Sequence, residues 1–291
     1  LGLLLLSKPL PDLILYKSGT YFLLVPALVF QISVVLADIY SWEDAQGRIH
    51  YSDRPNEGSE KLDITPGYAY HVVEYVYDGD TILLDDGKKI RLLGINTPEV
   101  ESSRKDGEPG GLEAKRWLTQ KIQGRKVRLG LDAERKDRYH RHLAHLFTPE
   151  GLHLNLEMVS RGLATVNIHP PNLKYVDPLL KAQKSAEGER LGIWGEATYA
   201  PIAIAEIPSL GRRGWSRLVG KPIDIRPGRK FDRLIFSTNF NVRIPRKNLE
   251  LFPALNTYLG KALEVRGWVS RRNKKYSVLI RHPSDLVERN E

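Results

Sequence analysis

Between Asp78 and Glu99 the chain reads DGDTILLDDGKKIRLLGINTPE, which gathers carboxylates, one arginine and one carboxamide into a short segment. Gly79, between Asp78 and Asp80, permits a sharp bend that brings carboxylates toward a common point. Hard cations such as calcium take about six to eight oxygen ligands from carboxylates, amide oxygens, backbone carbonyls and water. Asp80, Asn96 and the Thr97 carbonyl can supply part of such a shell. Asp85 and Asp86, followed by Gly87, read more simply as a tight turn, and turn chemistry is also the competing reading of the DGD triplet. Arg91 stands among apolar neighbours in a predicted strand, an unusual place for a guanidinium unless it points at a partner. Glu99 follows Pro98, which stiffens its loop. Arg141, in DRYHRHLAHLF, is expected in another strand. Two arginines, a carboxylate-bound cation and a glutamate are the parts that phosphodiester hydrolysis requires. They neutralise the phosphoryl oxygens, offer forked donors to phosphate and provide a base or positioner for water.

Positioning these groups falls to five short strands predicted at 70–77, 80–85, 88–95, 126–132 and 140–147. A helix is predicted at 111–123, where Ala114, Trp117, Leu118 and Ile122 share one face. Two more are predicted at 155–161 and 176–190, with Gly162 and Gly192 just beyond their ends. Five strands with a helix between the third and fourth follow the order of an OB-type barrel. A similar plan follows Ala200, without residue-level identity to the first: KPIDIRP, RLIFST, FNVRIP, a predicted helix KNLELFPALNTYL, then KALEVRGWVS and KYSVLIR. The fold class is therefore mainly β with α (α+β), an OB-type five-stranded barrel with helices followed by a second, smaller OB-like β-barrel domain. The Pro- and Ala-rich stretch APIAIAEIPSLG marks the boundary, giving domains at 67–199 and 200–291.

The chain has 291 residues, a net charge of +9 and no cysteine. Disulfides, thiolate metal sites and thiol nucleophiles are excluded, so a hydrolytic mechanism must use oxygen, nitrogen or a metal. The charge is uneven: −3 over residues 1–66, +1 over 67–199 and +11 over 200–291. Basicity concentrated in the last third favours a polyanionic partner, with nucleic acid ahead of a membrane because that region has no long apolar helix. Arg226, Arg233 and Arg243 are among the residues supplying charge there, with Phe231, Phe240 and Tyr276 as candidate stacking groups for single-stranded nucleic acid. A merely solvated basic face is the competing reading.

At the other end, SGTYFLLVPALVFQISVVLA at 18–37 reads as a secretory signal cleaved after Ala37, with an uncleaved membrane anchor as the alternative. Residues 1–37 are accordingly assigned to a signal peptide or anchor. Residues 38–66 are assigned to a small β-hairpin domain, in which Tyr40, Trp42, Ile49 and Tyr51 flank a turn at Gly47. The protein is expected to be periplasmic or secreted and monomeric, with inner-membrane anchoring and membrane contact only if the segment stays uncleaved. The hairpin resembles a short domain that follows the signal peptide of many Gram-negative envelope proteins, carried by Trp42, Asp44 to Gly47 and Tyr51 to Pro55.

From Gly67 to Trp194 the sequence resembles the staphylococcal nuclease (thermonuclease) family, through VYDGDT, IRLLGINTPE, DRYHRHLAHLF, LEMVSRGLATV and AQKSAEGERLGIW. The resemblance implies that Asp80, Asn96 and the Thr97 carbonyl bind calcium, and that Arg91, Glu99 and Arg141 occupy the three catalytic positions. It implies a sugar-nonspecific nuclease that cuts DNA and RNA to 3′-phosphate ends. It also places Arg138 and Tyr139 beside the substrate. Asn96 departs from the aspartate of the family's best-known member, which leaves another divalent ion open. VNIHPPN at 166–172 departs from nucleotide-contacting tyrosines, so that Asn167 and His169 make a different platform. Rival readings are a catalytically silent nucleic-acid-binding module of the envelope and a structural envelope protein. His140, His142 and His145 raise zinc, but on a strand only 140 and 142 share a face.

Overall fold

The structure, a computed structural model, describes residues 39–62, 69–101, 106–211 and 214–289. The expected signal or anchor segment lies outside the described residues. The chain divides into two compact units, one ending at Gly67 and one running from Tyr68.

In the first unit, β1 (Ile39–Glu43) is flanked by β2 (Ile49–Ser52) and β3 (Glu60–Leu62) in one antiparallel sheet. The predicted hairpin therefore gains a third strand. Gly47, at φ 76°, closes the turn, and the Asp44 side chain accepts the backbone N–H groups of Gln46 and Arg48 at 2.9 and 3.0 Å. Trp42 stacks on its cross-strand partner His50 with ring centroids 5.3 Å apart.

The second unit begins with β4 (Tyr70–Val76), β5 (Thr81–Leu84), β6 (Lys89–Leu92) and the short β7 (Ile95–Asn96). Helix α1 (Gly111–Ile122) precedes β8 (Lys126–Gly130) and β9 (His142–Phe147). Five of these strands close a barrel in the order β4-β5-β6-β9-β8, with β6 and β9 parallel. Alternation turns Ile82 and Leu84, Ile90 and Leu92, and Ala144 and Leu146 inward, where all are buried. Ala114, Leu118 and Ile122, one helical turn apart, seal the barrel against α1. Beyond it, α2 (Leu154–Ser160), β10 (Thr165–Val166) and α3 (Val176–Gly188) complete the layer, with β10 paired to β7. Fully buried Asn155 ties α2 to the barrel: its Oδ1 accepts the Leu146 N–H at 2.9 Å and its Nδ2 donates to the Leu93 carbonyl at 2.8 Å.

After β11 (Ile202–Ala203) and the one-turn α4 (Ile207–Leu210) comes a second sheet. It takes in β11, which pairs parallel with β12 (Gly214–Gly220), and holds β13 (Asp224–Arg226), β14 (Phe231–Ile235), β15 (Phe240–Pro245), β16 (Leu263–Arg272), β17 (Lys275–Leu279) and β18 (Leu286–Glu288). Its path, β12-β16-β17-β15-β14-β13, is the OB order with the first strand split into β12 and β13, which pair with opposite ends of the sheet. Pro222, which has no N–H to donate, lies in the gap. The expected helix between β15 and β16 is instead two 3₁₀ segments, Arg246–Leu251 and Leu255–Tyr258. Pro253 interrupts the helical spacing of the leucines on either side of it.

A buried ion network holds this sheet against the first barrel. Glu187 of α3 receives Arg266 through two bonds of 2.6 and 2.9 Å. Glu264, only 2% exposed, receives Arg217, Arg266 and Arg289 at 2.7 to 2.8 Å. Trp215 of β12 packs beside Trp194 and Tyr199.

Candidate active site

Gly79 is required by packing. A Cβ there would lie 2.6 Å from Thr97 Cγ2 and 2.8 Å from Ala114 Cβ, so only glycine lets the Asp78–Asp80 bend press against the loop after β7. Asp80, 6% exposed, is held there by its Oδ2, which accepts the Thr97 N–H at 3.0 Å and meets Arg91 Nη2 at 2.9 Å. Its other oxygen accepts the Thr81 hydroxyl at 3.0 Å. Arg91 leaves β6 on the face opposite the buried Ile90 and Leu92. Its Nη1 donates to the carbonyls of Leu92 and Ile95 at 2.7 and 3.0 Å, and its Nη2 donates to Asn96 Oδ1 at 3.2 Å. Asn96 Nδ2 donates in turn to the Thr97 carbonyl at 3.0 Å. Asp80, Asn96 and Thr97 are thus drawn together around one guanidinium.

Asp78 stands behind this ring and accepts the Asp80 N–H at 2.9 Å. Burial, and then the charge of Asp80, push its carboxyl up to about 6 in spite of Arg91. The donors are a carboxylate, a carboxamide and a backbone carbonyl, all oxygen, and local negative charge exceeds what one arginine offsets. That set fits a hard divalent cation, not a soft one.

Glu99 is half-buried at the start of the loop leading to α1. Glu108 clamps its backbone, with Oε2 accepting the Glu99 N–H at 3.0 Å and the Glu108 N–H donating to the Glu99 carbonyl at 2.8 Å. Gly111 admits that carbonyl: a Cβ there would sit 2.4 Å from the oxygen.

Arg141 lies in the turn before β9, a correction to the strand expected at 140–147. Asp137 builds the turn by accepting the N–H groups of Tyr139 and Arg141 at 2.9 and 3.0 Å, and His140 sits at φ 65°. This local bonding withdraws the residues before His142 from the ladder. The other Asp137 oxygen binds the Arg141 guanidinium through Nε and Nη2, both at 2.7 Å. Burial alone would raise the Asp137 carboxyl, but the bonds from Arg141 and Tyr139 hold it below the usual range.

A cavity of about 600 Å³ opens between Arg91 and this turn, and its walls include Arg138, Tyr139, Arg141, His169 and Arg281. Tyr139, 63% exposed, lies under the guanidinium of Arg138 at 4.7 Å and that of Arg141 at 5.6 Å, which makes a cationic aromatic platform. Burial, then the charges of Arg281 and Arg91, depress His169 to about 4, so its ring is neutral at pH 7. Asp80, Asn96, Thr97 and Glu99 do not line the cavity; Arg91 joins the first two to it. Asp137, Glu108 and Arg281 are additions that the sequence reading did not select.

Of the three histidines considered for zinc, His145 is buried against His153 at 3.1 Å and against Tyr175. Burial presses its pKa down to about 3. Among the described residues His140, His142 and His145 form no common ligand group.

The staphylococcal nuclease homologue family model matches residues 89–196. A thermonuclease of Staphylococcus intermedius is 36% identical over 127 residues, covering 43% of this chain and 75% of that protein. The chain belongs to the staphylococcal nuclease family. A thermonuclease of Staphylococcus hyicus is 37% identical over 129 residues with the same shares, 43% and 75%. The SPbeta prophage-derived endonuclease YokF of Bacillus subtilis is 32% identical over 127 residues, 42% of this chain and 43% of that protein. The family match takes in Arg91, Asn96, Thr97, Glu99, Arg138, Tyr139 and Arg141, begins after Asp80 and ends well before Arg281. Residues 27–70 match a domain of unknown function, DUF4124.

Proposed function

We propose that the protein is an exported, calcium-dependent nuclease that hydrolyses phosphodiester bonds of DNA or RNA to 3′-phosphate ends. One observation carries the reading: Arg91 touches both the Asp80–Asn96 oxygen cluster and the cavity that Arg141 shares. A scissile phosphate in that cavity would lie beside the cluster. Asp80, Asn96 and the Thr97 carbonyl would hold the ion, which when bound neutralises phosphate charge and favours deprotonation of water.

The chain's own groups supply the rest. Glu99 orients a water and takes one of its protons as the water oxygen bonds to phosphorus. Arg91 and Arg141 donate to the equatorial oxygens, whose negative charge grows in the transition state. The bond from phosphorus to the 5′ oxygen breaks, and Arg141 hydrogen-bonds that departing oxygen as it takes a proton from solvent water, while Glu99 returns the proton it accepted to solvent. Phosphate is left on the 3′ side. Asp137 fixes Arg141 for this work, and the Arg138–Tyr139 platform receives the adjacent nucleotide.

Export to the periplasm or the medium is supported by the apolar run at 18–37 and by the small domain after it. Among the described residues no helix is long and apolar enough to cross a membrane. Asn96 favours one second reading, a silent nucleic-acid-binding module, because it replaces a charged ligand by a neutral one. The deciding experiment incubates the purified chain with single-stranded DNA and RNA in calcium, magnesium or manganese, and in chelator. Cleavage in calcium to 3′-phosphate ends and none in chelator is expected. Intact substrate with every ion, alongside retained binding, would establish the silent module instead.

A further inference from the structure

Three arginines stand abreast on neighbouring strands of the second sheet. The register sets Arg226 opposite Arg233 and Arg233 opposite Arg243, so the row crosses β13, β14 and β15. Adjacent strands are about 4.8 Å apart, and like charges directly opposite one another destabilise a sheet. Only Arg226 is compensated, by Asp224 at 3.0 Å. Among the described residues neither Arg233 nor Arg243 has a carboxylate at ion-pair distance. Arg243 Nε is buried without a hydrogen-bond partner, and its guanidinium lies 5.6 Å from the Phe231 ring.

The row continues toward the cavity. Arg243 is beside Leu279 of the parallel strand β17, and Arg281 follows two residues later. Val278 and Ile280 are fully buried, so alternation turns Leu279 and Arg281 to the same outer face as Arg243. Arg281 is a built position. Its carbonyl accepts Asn248 Nδ2 at 2.9 Å from a residue only 4% exposed, and the preceding N–H of Ile280 donates to the Arg243 carbonyl at 3.1 Å. Arg281 lines the same cavity as Arg91, Arg138 and Arg141. The Glu187–Arg266 pair fixes the sheet that delivers it. Four guanidiniums around one cavity, fed by a row of three of which Arg233 and Arg243 lack a carboxylate partner, match the repeated charges of a polynucleotide strand.

We propose that Arg281 is a substrate-binding residue that the second sheet supplies to the cavity. With it, Arg226, Arg233 and Arg243 form a phosphate track for the single strand flanking the cleaved bond. The proposal rests on the nuclease reading and names which surface beyond the catalytic barrel carries the substrate.

Binding is measured by fluorescence anisotropy, in chelator and between about 50 and 200 mM salt, with a labelled dinucleotide and a labelled single-stranded DNA of about 12 nucleotides. Cleavage of the longer strand in calcium is followed in parallel. Arg281→Ala should raise the Kd of both ligands about fivefold to tenfold and flatten the salt slope by about 0.7, the single-strand value for one lost phosphate contact. The Arg226→Gln/Arg233→Gln pair should raise the Kd of the longer strand about tenfold and flatten its slope by about 1.4, with a much smaller effect on the dinucleotide. Arg281→Lys keeps the charge and should keep the slope, which separates a lost phosphate contact from a disturbed fold. Wild-type Kd and slope in Arg281→Ala and in the pair, with cleavage intact, would overturn the track and leave the nuclease reading standing. Arginine-dependent binding without cleavage by any divalent ion would uphold the track and remove the nuclease reading.

Discussion

In the first barrel, strand β4 pairs with β8 through its N-terminal half and with β5 through its C-terminal half, closing the ring without a break. In the second sheet the same two tasks fall to β12 and β13, with Pro222 in the gap between them. The larger difference lies in charge. The first barrel keeps both signs together near its strand ends: Arg91 with Asp80, and Arg141 with Asp137, in geometries fixed by several bonds each. The second sheet buries its carboxylate Glu264 among arginines and leaves a row of one sign on its outer face. Compensated, rigid charge suits chemistry, because it can be aimed at a transition state without reorganising. Uncompensated surface charge suits capture, because its energy comes from counterion release and is indifferent to sequence.

The sharpest way to break that division is Glu99→Gln. It keeps size and polarity but removes the proposed base, and kcat should fall by about 10² to 10⁴, with the Kd for single-stranded DNA in chelator nearly unchanged. Single-turnover and binding measurements on one preparation check both halves. Arg233→Gln belongs to the other class and should act on KM and its salt dependence. A kcat loss from Arg233→Gln as large as that from Glu99→Gln would erase the distinction between the two sheets.

Next in size is the clamp between them. Glu264→Gln leaves three arginines around a neutral amide, and breaking a buried pair in this way costs about 3–5 kcal/mol. Burial alone would raise the Glu264 pKa, but the bonds from Arg217 and Arg266 bring it below its ordinary 4.5. The sign follows: the folded state holds its proton less tightly than the unfolded state. The stabilisation is therefore complete above about pH 4.5 and is lost as pH falls through the lower folded value. Urea titrations from neutral to acid pH should show the wild type losing stability in that window, with Glu264→Gln flatter there.

Much of the first barrel was legible because its site is local. Asp80, Arg91, Asn96 and Thr97 fall within one hairpin and its loop, so for these four motif spacing and spatial proximity coincide. Arg141 was legible as a residue but not in its setting. The turn that holds it depends on Asp137 acting as a local hydrogen-bond acceptor, a role that a solvated aspartate in a charged stretch does not announce. Strand β12 was not expected, since its inward positions include the buried polar Ser216 and the apolar alternation is broken there. The helix expected at 247–259 had the right leucine spacing, but Pro253 splits it into 3₁₀ segments. Arg281 belongs to no motif. Only the parallel pairing of β15 with β17 and the ion clamp bring it to the cavity, and neither can be read from spacing along the chain.

The smallest expected effect concerns Asn96, the neutral side chain among the oxygen donors of the first barrel. Asn96 accepts from Arg91 through Oδ1 and donates to the Thr97 carbonyl through Nδ2, so it both offers an oxygen and caps another. Asn96→Asp removes the cap and adds a full negative charge beside Asp80. Both changes favour a hard divalent cation, whose affinity is tuned by the number of charged ligands and the rigidity of the site. Calorimetric titration should then show calcium binding about tenfold tighter, since one added charge–charge interaction near a protein surface exceeds the 1.4 kcal/mol that a factor of ten requires. The same variant removes the donor to Thr97 and strengthens the hold on Arg91, so kcat at saturating calcium should change by less than the affinity does. Weaker calcium binding in Asn96→Asp would place the cation elsewhere than beside Asn96. The carboxylates of the first barrel would then serve to orient Arg91, bringing that barrel closer to the binding role of the second.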